Sequence, residues 1–173
     1  RTGDQGEAEM VDDYLEEFSE IPLFDEILIP ILGRVQADYD DGAITGDERR
    51  AIHQASGNIL EQADFRESPQ ESSQQDSMVV WCLPGRTERD VLAGRFAAKA
   101  LELDGFFTRI SASRAENQTL LKFLEEGRDL PDIILVSSMH ESGLKQARAL
   151  IGRIKAIVPS QTVVLGCWGQ ERG

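Results

Sequence analysis

The stretch Met78-Val-Val-Trp-Cys-Leu83 is a continuous apolar run of strand length, and Pro84-Gly85 follows it as a turn. A strand that is apolar at successive positions is typical of a parallel sheet covered on both faces. Three further apolar runs follow, at residues 106–110, 132–136 and 162–165, and each is separated from the last by a segment with helical periodicity. Strands that alternate with helices in this way predict a parallel α/β fold.

The segments between the strands carry helix start and stop signals. Thr87 is placed to cap the first helix, which Asp104-Gly105 ends, and Gly127 closes the second. The predicted helices cover residues 87–103, 113–126 and 141–158. Because sheets of this kind usually have five or more strands, we expect four to five strands, with an edge strand missing or supplied from elsewhere.

Upstream of this α/β domain, at residues 78–173, the composition changes. Residues 66–77 contain no apolar side chain and are predicted to be a linker. Before the linker, residues 14–65 are predicted to form a small helical region, and residues 1–13 a mobile acidic segment.

Within the helical region, Pro22 is placed as a first-turn proline, and apolar residues then recur at helical spacing. Pro30 lies inside this pattern and is predicted to kink or break the helix, which Gly42 ends. Thr45 or Asp47 is placed to cap the next helix.

Charge is distributed unevenly along the 173 residues, whose formal net charge is −13. Residues 1–77 carry 5 basic and 20 acidic side chains (net −15), whereas residues 78–173 carry 13 and 11 (net +2). An acidic first part, 6% aromatic residues and no basic stripe argue against nucleic acid and against an anionic membrane surface as partners. Two cysteines provide no disulfide framework and are typical of a reducing compartment.

The absence of a long apolar run and the start at Arg1-Thr-Gly3 lead us to expect a soluble piece of a larger protein.

Ligands of an open parallel sheet bind beyond the carboxyl ends of the strands. The residues delivered to that edge include Cys82, Arg86, Thr87, Ser137, Ser138, His140, Gly166 and Cys167. The loop at residues 84–89 contains a single glycine, so it matches neither a Rossmann dinucleotide site nor a Walker loop.

Cys82, His140 and Cys167 are a candidate zinc site or thiol–imidazole pair, because thiolate and imidazole are ligands that zinc prefers. The alternative is that the cysteines pack in the core, as free cysteines commonly do.

Two segments of the α/β domain resemble a known family. Asp132-Ile-Ile-Leu-Val-Ser137-Ser-Met139 and Val163-Val-Leu-Gly166 are similar to the third and fourth strands of the cobalamin-binding domain, which has a flavodoxin-like fold. The resemblance implies that Ser137 lies beside the nucleotide tail of the cofactor, although Cys167 stands where the family has a second glycine. Residues 32–53, from Leu32-Gly33 to His53, likewise resemble the helical cap of cobalamin-dependent regulators.

The cobalt-coordinating histidine of that family's D-x-H-x-x-G motif has no counterpart, since residues 85–94 contain no histidine. Because this histidine is absent, the base-off mode of cobalamin binding is disfavoured, and a base-on mode stays open.

A second resemblance covers residues 14–168. It rests on the order and spacing of Asp25-Glu-Ile-Leu-Ile-Pro30, Cys82-Leu-Pro, Ser137-Ser-Met139 and Gly166-Cys-Trp168. These segments resemble the soluble C-terminal extension of some bacterial membrane permeases of the autoinducer-2 exporter family. The resemblance implies a cytoplasmic domain tethered to the inner membrane, whose partner is the transmembrane domain of its own full-length chain.

The sequence thus predicts a non-enzymatic regulatory or ligand-sensing domain of a larger membrane-transport protein. The predicted small-molecule site comprises Arg86, Thr87, Ser137, Ser138 and Gly166, with no catalytic residue and no metal. Three alternatives stay open: a cobalamin-binding sensor, a metal- or thiol-dependent enzyme, and an assembly module that forms homo-oligomers or docks its acidic part on a basic surface.

Overall fold

The structure is a computed structural model that describes residues 3–18, 20–62, 77–85, 87–111, 113–128, 130–139 and 141–168. The chain divides into two compact units, Arg1–Glu67 and Ser68–Gly173. Apart from Ser77, the predicted linker lies outside the described residues, and the predicted domain boundaries stay predictions. No helix in the described part of the chain is long and apolar enough to cross a membrane.

The first unit is helical. Its elements are helix α1 (Gly3–Glu17), the single turn α2 (Glu20–Pro22), a π-helical segment (Leu23–Leu28), α3 (Ile29–Asp40) and α4 (Gly46–Gln62). Helix α1 includes most of the segment predicted to be mobile, and that mobility stays a prediction. The buried apolar side chains of this unit include Val11, Leu23, Phe24, Leu28, Leu32 and Val35.

The position of Pro30 predicts a kink or a break in the helix. The break does not occur, since helical residues run without a gap from Leu23 to Asp40. Proline has no N–H to donate, and its ring crowds the carbonyl four residues earlier, so an unmodified α-helical turn cannot accommodate it. The turn before it is widened instead. The N–H of Ile29 donates to the carbonyl of Phe24, five residues earlier, which is the hydrogen bond of a π-helix.

Thr45, one of the two predicted caps, begins helix α4. Its hydroxyl accepts the N–H of Glu48 at 3.2 Å, and the Glu48 carboxylate accepts the Thr45 N–H at 2.7 Å. This reciprocal pair is a capping box, which supplies hydrogen bonds to the free N–H groups of the first turn. Hydrogen bonds from the Thr45 N–H and hydroxyl lower the pKa of the Glu48 carboxyl.

The second unit alternates strands and helices, as the sequence predicts. Its elements are β1 (Val79–Pro84), α5 (Glu88–Leu103), β2 (Phe107–Ile110), α6 (Arg114–Glu125), β3 (Ile133–Ser138), α7 (Glu141–Ile157) and β4 (Thr162–Cys167). The described residues form one four-stranded, all-parallel sheet in the order β2-β1-β3-β4. This is a flavodoxin-like α/β arrangement, so the predicted fold class is confirmed.

The order of the strands determines which helix covers which face. Right-handed crossovers place α5 on one face and α6 and α7 on the other, because the chain reverses its direction across the sheet after β2. Val80 and Cys82 of β1 pack with Ala97 and Ala98 of α5. Trp81 and Leu83 belong to a larger cluster with residues of α6 and α7, which also contains Leu120, Leu121, Leu124, Ala147 and Ile154.

The reversal also creates a switch point between β1 and β3, which are neighbours in the sheet although β2 lies between them in sequence. Open α/β sheets bind ligands at such a switch point, beyond the carboxyl ends of the strands. In this chain the corresponding positions are the ends of β1 and β3 and the helices that flank them.

Candidate functional site

A single carboxylate joins the loops that follow β1 and β3. Asp90, in the first turn of α5, is 3% exposed. Its Oδ2 accepts the N–H of Thr87 at 2.9 Å, and its Oδ1 accepts the N–H of Met139 at 2.7 Å. Since Met139 directly follows β3, this side chain ties the start of α5 to the end of the neighbouring strand.

Gly85 permits this arrangement. Its N–H donates to the carbonyl of Ser137 at 2.8 Å, which joins the ends of β1 and β3 directly. A Cβ atom at Gly85 would lie 2.5 Å from Oδ2 of Asp90 and 3.2 Å from the carbonyl oxygen of Ser137. Any side chain at this position would therefore push the carboxylate away from the loop that it stabilises.

The structure describes Thr87, Ser137, Ser138 and Gly166 of the predicted site, and these residues lie at the predicted edge, with the two serine side chains on different faces of the sheet. Thr87 is the N-cap of α5, and its hydroxyl accepts the N–H of Asp90. Ser137 and Ser138 are 0% and 1% exposed. Gly166 pairs with Ser137 in the register of β3 and β4. Arg86 lies outside the described residues.

Ser137 and Ser138 are separated by the alternation of side chains along β3. The Ser137 hydroxyl lies toward Gly94 of α5, whereas the Ser138 hydroxyl lies against Gly143 in the first turn of α7. One small ligand therefore does not meet both hydroxyls, and the role of the predicted set in ligand binding stays a prediction.

The surroundings of Gly166 do not fit a cobalamin tail. The indole of Trp168 lies over this glycine, and a Cβ atom at Gly166 would be 2.5 Å from Cζ2 and 2.8 Å from Cε2 of the ring. Trp168 also packs against the apolar cluster between α5 and the sheet. The space over Gly166, which is the register partner of Ser137, is thus occupied by a side chain of this chain.

The two cysteines of the candidate zinc or thiol–imidazole site lie on different faces of the sheet. Cys82 faces α5, and Cys167 pairs in register with Ser138, on the opposite face and beyond β3. His140 lies outside the described residues, which contain no group of three side chains suited to a metal ion. Alternation of side chains along the strands accounts for the separation of the two thiols.

Burial also lowers the reactivity of the Cys82 thiol. Burial, with a smaller contribution from the carboxylate of Glu102, raises the pKa of the Cys82 thiol to about 12. The thiolate is the nucleophilic form of cysteine, so this thiol is inert at neutral pH. Cys167 is exposed.

A cleft of about 240 Å³ lies on the other face of the sheet, between α6 and α7 and next to the end of β1. Its lining residues come from the β1 loop and from both helices: Pro84, Gly85, Asn117, Gln118, Leu121, Gln146, Ala147, Ala149, Leu150 and Arg153. The cleft adjoins the switch point, because Pro84 and Gly85 end β1 there.

The polar groups of the cleft are positioned by its helices. Asn117, in the first full turn of α6, donates from Nδ2 to the carbonyl of Pro84 at 3.2 Å. This bond orients the amide so that Oδ1 is its remaining polar atom, and Oδ1 is buried without a hydrogen-bond partner among the described residues. Arg153 of α7 contributes a positive charge on the opposite side.

Sequence reasoning missed these helical residues because it considered only the loops that follow the strands. Asn117 stands four residues after the cap Ser113, and Arg153 stands in the middle of α7. Their one available signal is helical spacing, since Asn117 precedes Leu121 by four residues and Arg153 follows Leu150 by three, which does not distinguish a ligand contact from an ordinary surface polar residue.

No family model and no curated protein sequence matches this chain. The class of the second unit therefore rests on its own geometry: a flavodoxin-like parallel α/β fold with a cleft beside its switch point.

Asp90→Ala is expected to lower the free energy of unfolding by roughly 2–4 kcal/mol, because it leaves two N–H groups without their acceptor in a buried site. Urea denaturation followed by circular dichroism measures the change. Glu125→Ala removes an exposed carboxylate from the end of α6 and serves as the control. Equal stability of the two variants would show that the Asp90 bridge contributes little.

Iodoacetamide is expected to label Cys167 in the native protein and to leave Cys82 unmodified until the chain is unfolded. Because the pKa of Cys82 is about 12, labelling of this thiol stays slow even at a pH of about 8.5, where an unperturbed cysteine is half ionised. Mass spectrometry after digestion measures both sites, with Cys167→Ser as the control. Labelling of native Cys82 at the rate of Cys167 would contradict the buried assignment.

Proposed function

We propose that this chain is a non-enzymatic regulatory module whose second unit binds a small organic anion in the cleft between α6 and α7. The observation that carries the proposal is the buried Oδ1 of Asn117, a residue that lines the cleft beside the switch point; this atom accepts no hydrogen bond from the described residues. Leaving such an atom without a partner costs free energy, which a ligand donor that reaches it recovers.

The lining of the cleft indicates the chemistry of the ligand. Arg153 supplies a cation, and none of the lining residues is acidic. Leu121, Ala147 and Leu150 supply an apolar wall. A compact molecule with an anionic group, an apolar body and a hydrogen-bond donor fits these features, and the size of the cleft limits it to a small metabolite.

Binding at this position offers a means of regulation. The ligand contacts the β1 loop, α6 and α7 together. It therefore stabilises the conformation in which the distance between α6 and α7 fits the ligand. A protein responds to a ligand only through the difference in affinity between its conformations. Sensitivity of the α6–α7 separation to the ligand is the response that we propose.

The anion 4-hydroxybenzoate (below, benzoate) and its uncharged methyl ester test the cleft in ¹H–¹⁵N correlation spectra of the full chain, and both carry a phenolic O–H that can donate to Asn117. Benzoate is expected to shift the amide signals of Gly85, Asn117 and Gln146 with a millimolar dissociation constant, and the methyl ester to bind more weakly because it lacks the charge. Arg153→Gln is expected to lower benzoate affinity about threefold, as an exposed charge pair does. Arg148→Gln removes an exposed charge of α7 outside the cleft and is the control.

The anion-binding proposal fails if benzoate leaves these amide signals in place, or if it shifts signals scattered over the whole chain. It also fails if Arg148→Gln and Arg153→Gln lower the affinity for benzoate equally. The effect of the charge would then not depend on its position in the cleft.

We propose further that the module belongs to a membrane-transport protein and is tethered to the cytoplasmic side of the inner membrane. The resemblance of residues 14–168 to the C-terminal extension of autoinducer-2 exporter family permeases supports this assignment. The coding sequence upstream of Arg1 is expected to contain apolar segments of about 20 residues, the length of a membrane-spanning helix. An upstream sequence without such segments would overturn the assignment to a permease.

A further inference from the structure

We infer that two copies of this chain pair through the outer edge of β4, with the two strands antiparallel about a two-fold axis at Val164. In the sheet order β2-β1-β3-β4, β4 is a terminal strand, and no other described strand pairs with its outer side. None of the residues that line the cleft between α6 and α7 belongs to β4. The inference therefore stands independently of the proposed anion site.

The backbone groups on the outer side of β4 belong to alternate residues. The N–H of Trp168 donates to the carbonyl of Ser138, the last residue of β3, at 3.0 Å. Successive residues of a strand direct their N–H and C=O groups to opposite sides, so the groups of Val163, Leu165 and Cys167 point away from β3. Backbone groups in this position on a terminal strand are a template for pairing with a further strand.

The side chains of β4 lack the charges that usually protect the edge of a sheet. Residues 161–169 contain no charged residue and no proline. Val164, in the middle of β4, is 46% exposed. The opposite terminal strand, β2, carries Arg109. Natural sheets place charges or prolines on edges that stay unpaired, so the two edges of this sheet indicate different roles.

An uncharged edge fits a strand of the same character, and β4 itself supplies that strand. The strands β1 and β3 are also uncharged, but each pairs on both sides within the sheet, and β2 brings a positive charge. The part of the chain that carries β4, residues 78–173, has a net charge of +2, so two copies meet there with little repulsion. Residues 1–77, with a net charge of −15, repel their counterparts instead.

A pairing centred on Val164 matches apolar side chains across the interface. Val163 and Leu165 pack toward α6 and α7, so Val164 lies on the α5 face. The pairing places Val164 opposite Val164 of the second copy, and Val163 opposite Leu165. Apolar and β-branched pairs of this kind stabilise neighbouring strands. A pairing centred on Leu165 would place Val164 opposite Gly166, over which the Trp168 indole lies.

The two-fold axis also limits the assembly to two copies. Each copy uses the same edge, so the β4 edges of both are covered once the pair has formed. The pair is therefore a closed dimer with one continuous sheet, in which the α5 faces of the two copies lie on the same side.

Val164→Lys tests the interface in the full chain, with sedimentation equilibrium as the measurement. The wild-type chain is expected to dimerise with a dissociation constant on the order of 10–100 µM, since a single strand pair buries a small area. Val164→Lys places like charges opposite each other and should weaken the dimer at least about tenfold. Phe107→Lys changes a similarly exposed apolar residue (49%) on the other edge strand and should leave the constant unchanged.

Cysteine cross-linking tests the register, in a Cys167→Ser background. Val164→Cys is expected to form an intermolecular disulfide on mild oxidation, because opposite positions without hydrogen bonds between them have Cα atoms about 4.5 Å apart. Thr162→Cys, an exposed position on the same face of β4, is the control. Its two copies would be about 14 Å apart in this pairing, which is too far for a disulfide.

A wild-type chain that stays monomeric at about 1 mM would overturn the inference, as would equal weakening of the dimer by Val164→Lys and Phe107→Lys. Equal cross-linking of Val164→Cys and Thr162→Cys would overturn the pairing centred on Val164. Loss of the dimer in about 0.5 M sodium chloride would show that charge holds it, as when the acidic first part docks on a basic surface, and would also overturn the inference. If circular dichroism shows that Val164→Lys does not fold, the cross-linking decides.

Discussion

The second unit depends on the carboxylate of Asp90. One of its oxygens holds the N-terminus of α5, and the other holds the chain directly after β3. Because α5 follows β1, this side chain couples the two strands between which the order of the sheet reverses. Gly85 is required for it, since only a residue without a Cβ atom lets the β1 loop pass so close to a buried carboxylate. The positions of the surrounding glycine and serine residues follow from this coupling.

The same interaction fills the place where folds of this type usually receive a ligand. The crevice at the ends of β1 and β3 contains the Asp90 carboxylate and the hydrogen bond between Gly85 and Ser137. On the α5 face, Trp168 covers Gly166. Two buried atoms that lack a hydrogen-bond partner among the described residues lie on either side of this crevice. They are Oδ1 of Asn117, on one face of the sheet, and Oγ of Ser137, on the other.

Charge separates the two parts of the chain as clearly as their folds do. Residues 78–173, with a net charge of +2, hold a cleft without acidic side chains, whereas the net charge of −15 belongs to residues 1–77. The anion site that we propose therefore lies in the part of the chain whose net charge is close to zero, although the chain as a whole is strongly negative. The net charge of a whole chain is a poor guide to what its individual sites bind.

The sequence by itself determined the class of fold, because that information is local. Apolar runs of strand length, the Thr87 cap and the glycines that end the helices are signals carried by a few adjacent residues, and all of them agree with one another. Locality also limits the prediction at Pro30, since the sequence offers a kink or a break and does not specify the π-helical turn that precedes the proline. Only the tertiary structure decided the sites. Asn117 and Arg153 line one cleft from two different helices, and Cys82 is separated from Cys167 by the sheet, because strand order and the alternation of side chains determine which residues share a face.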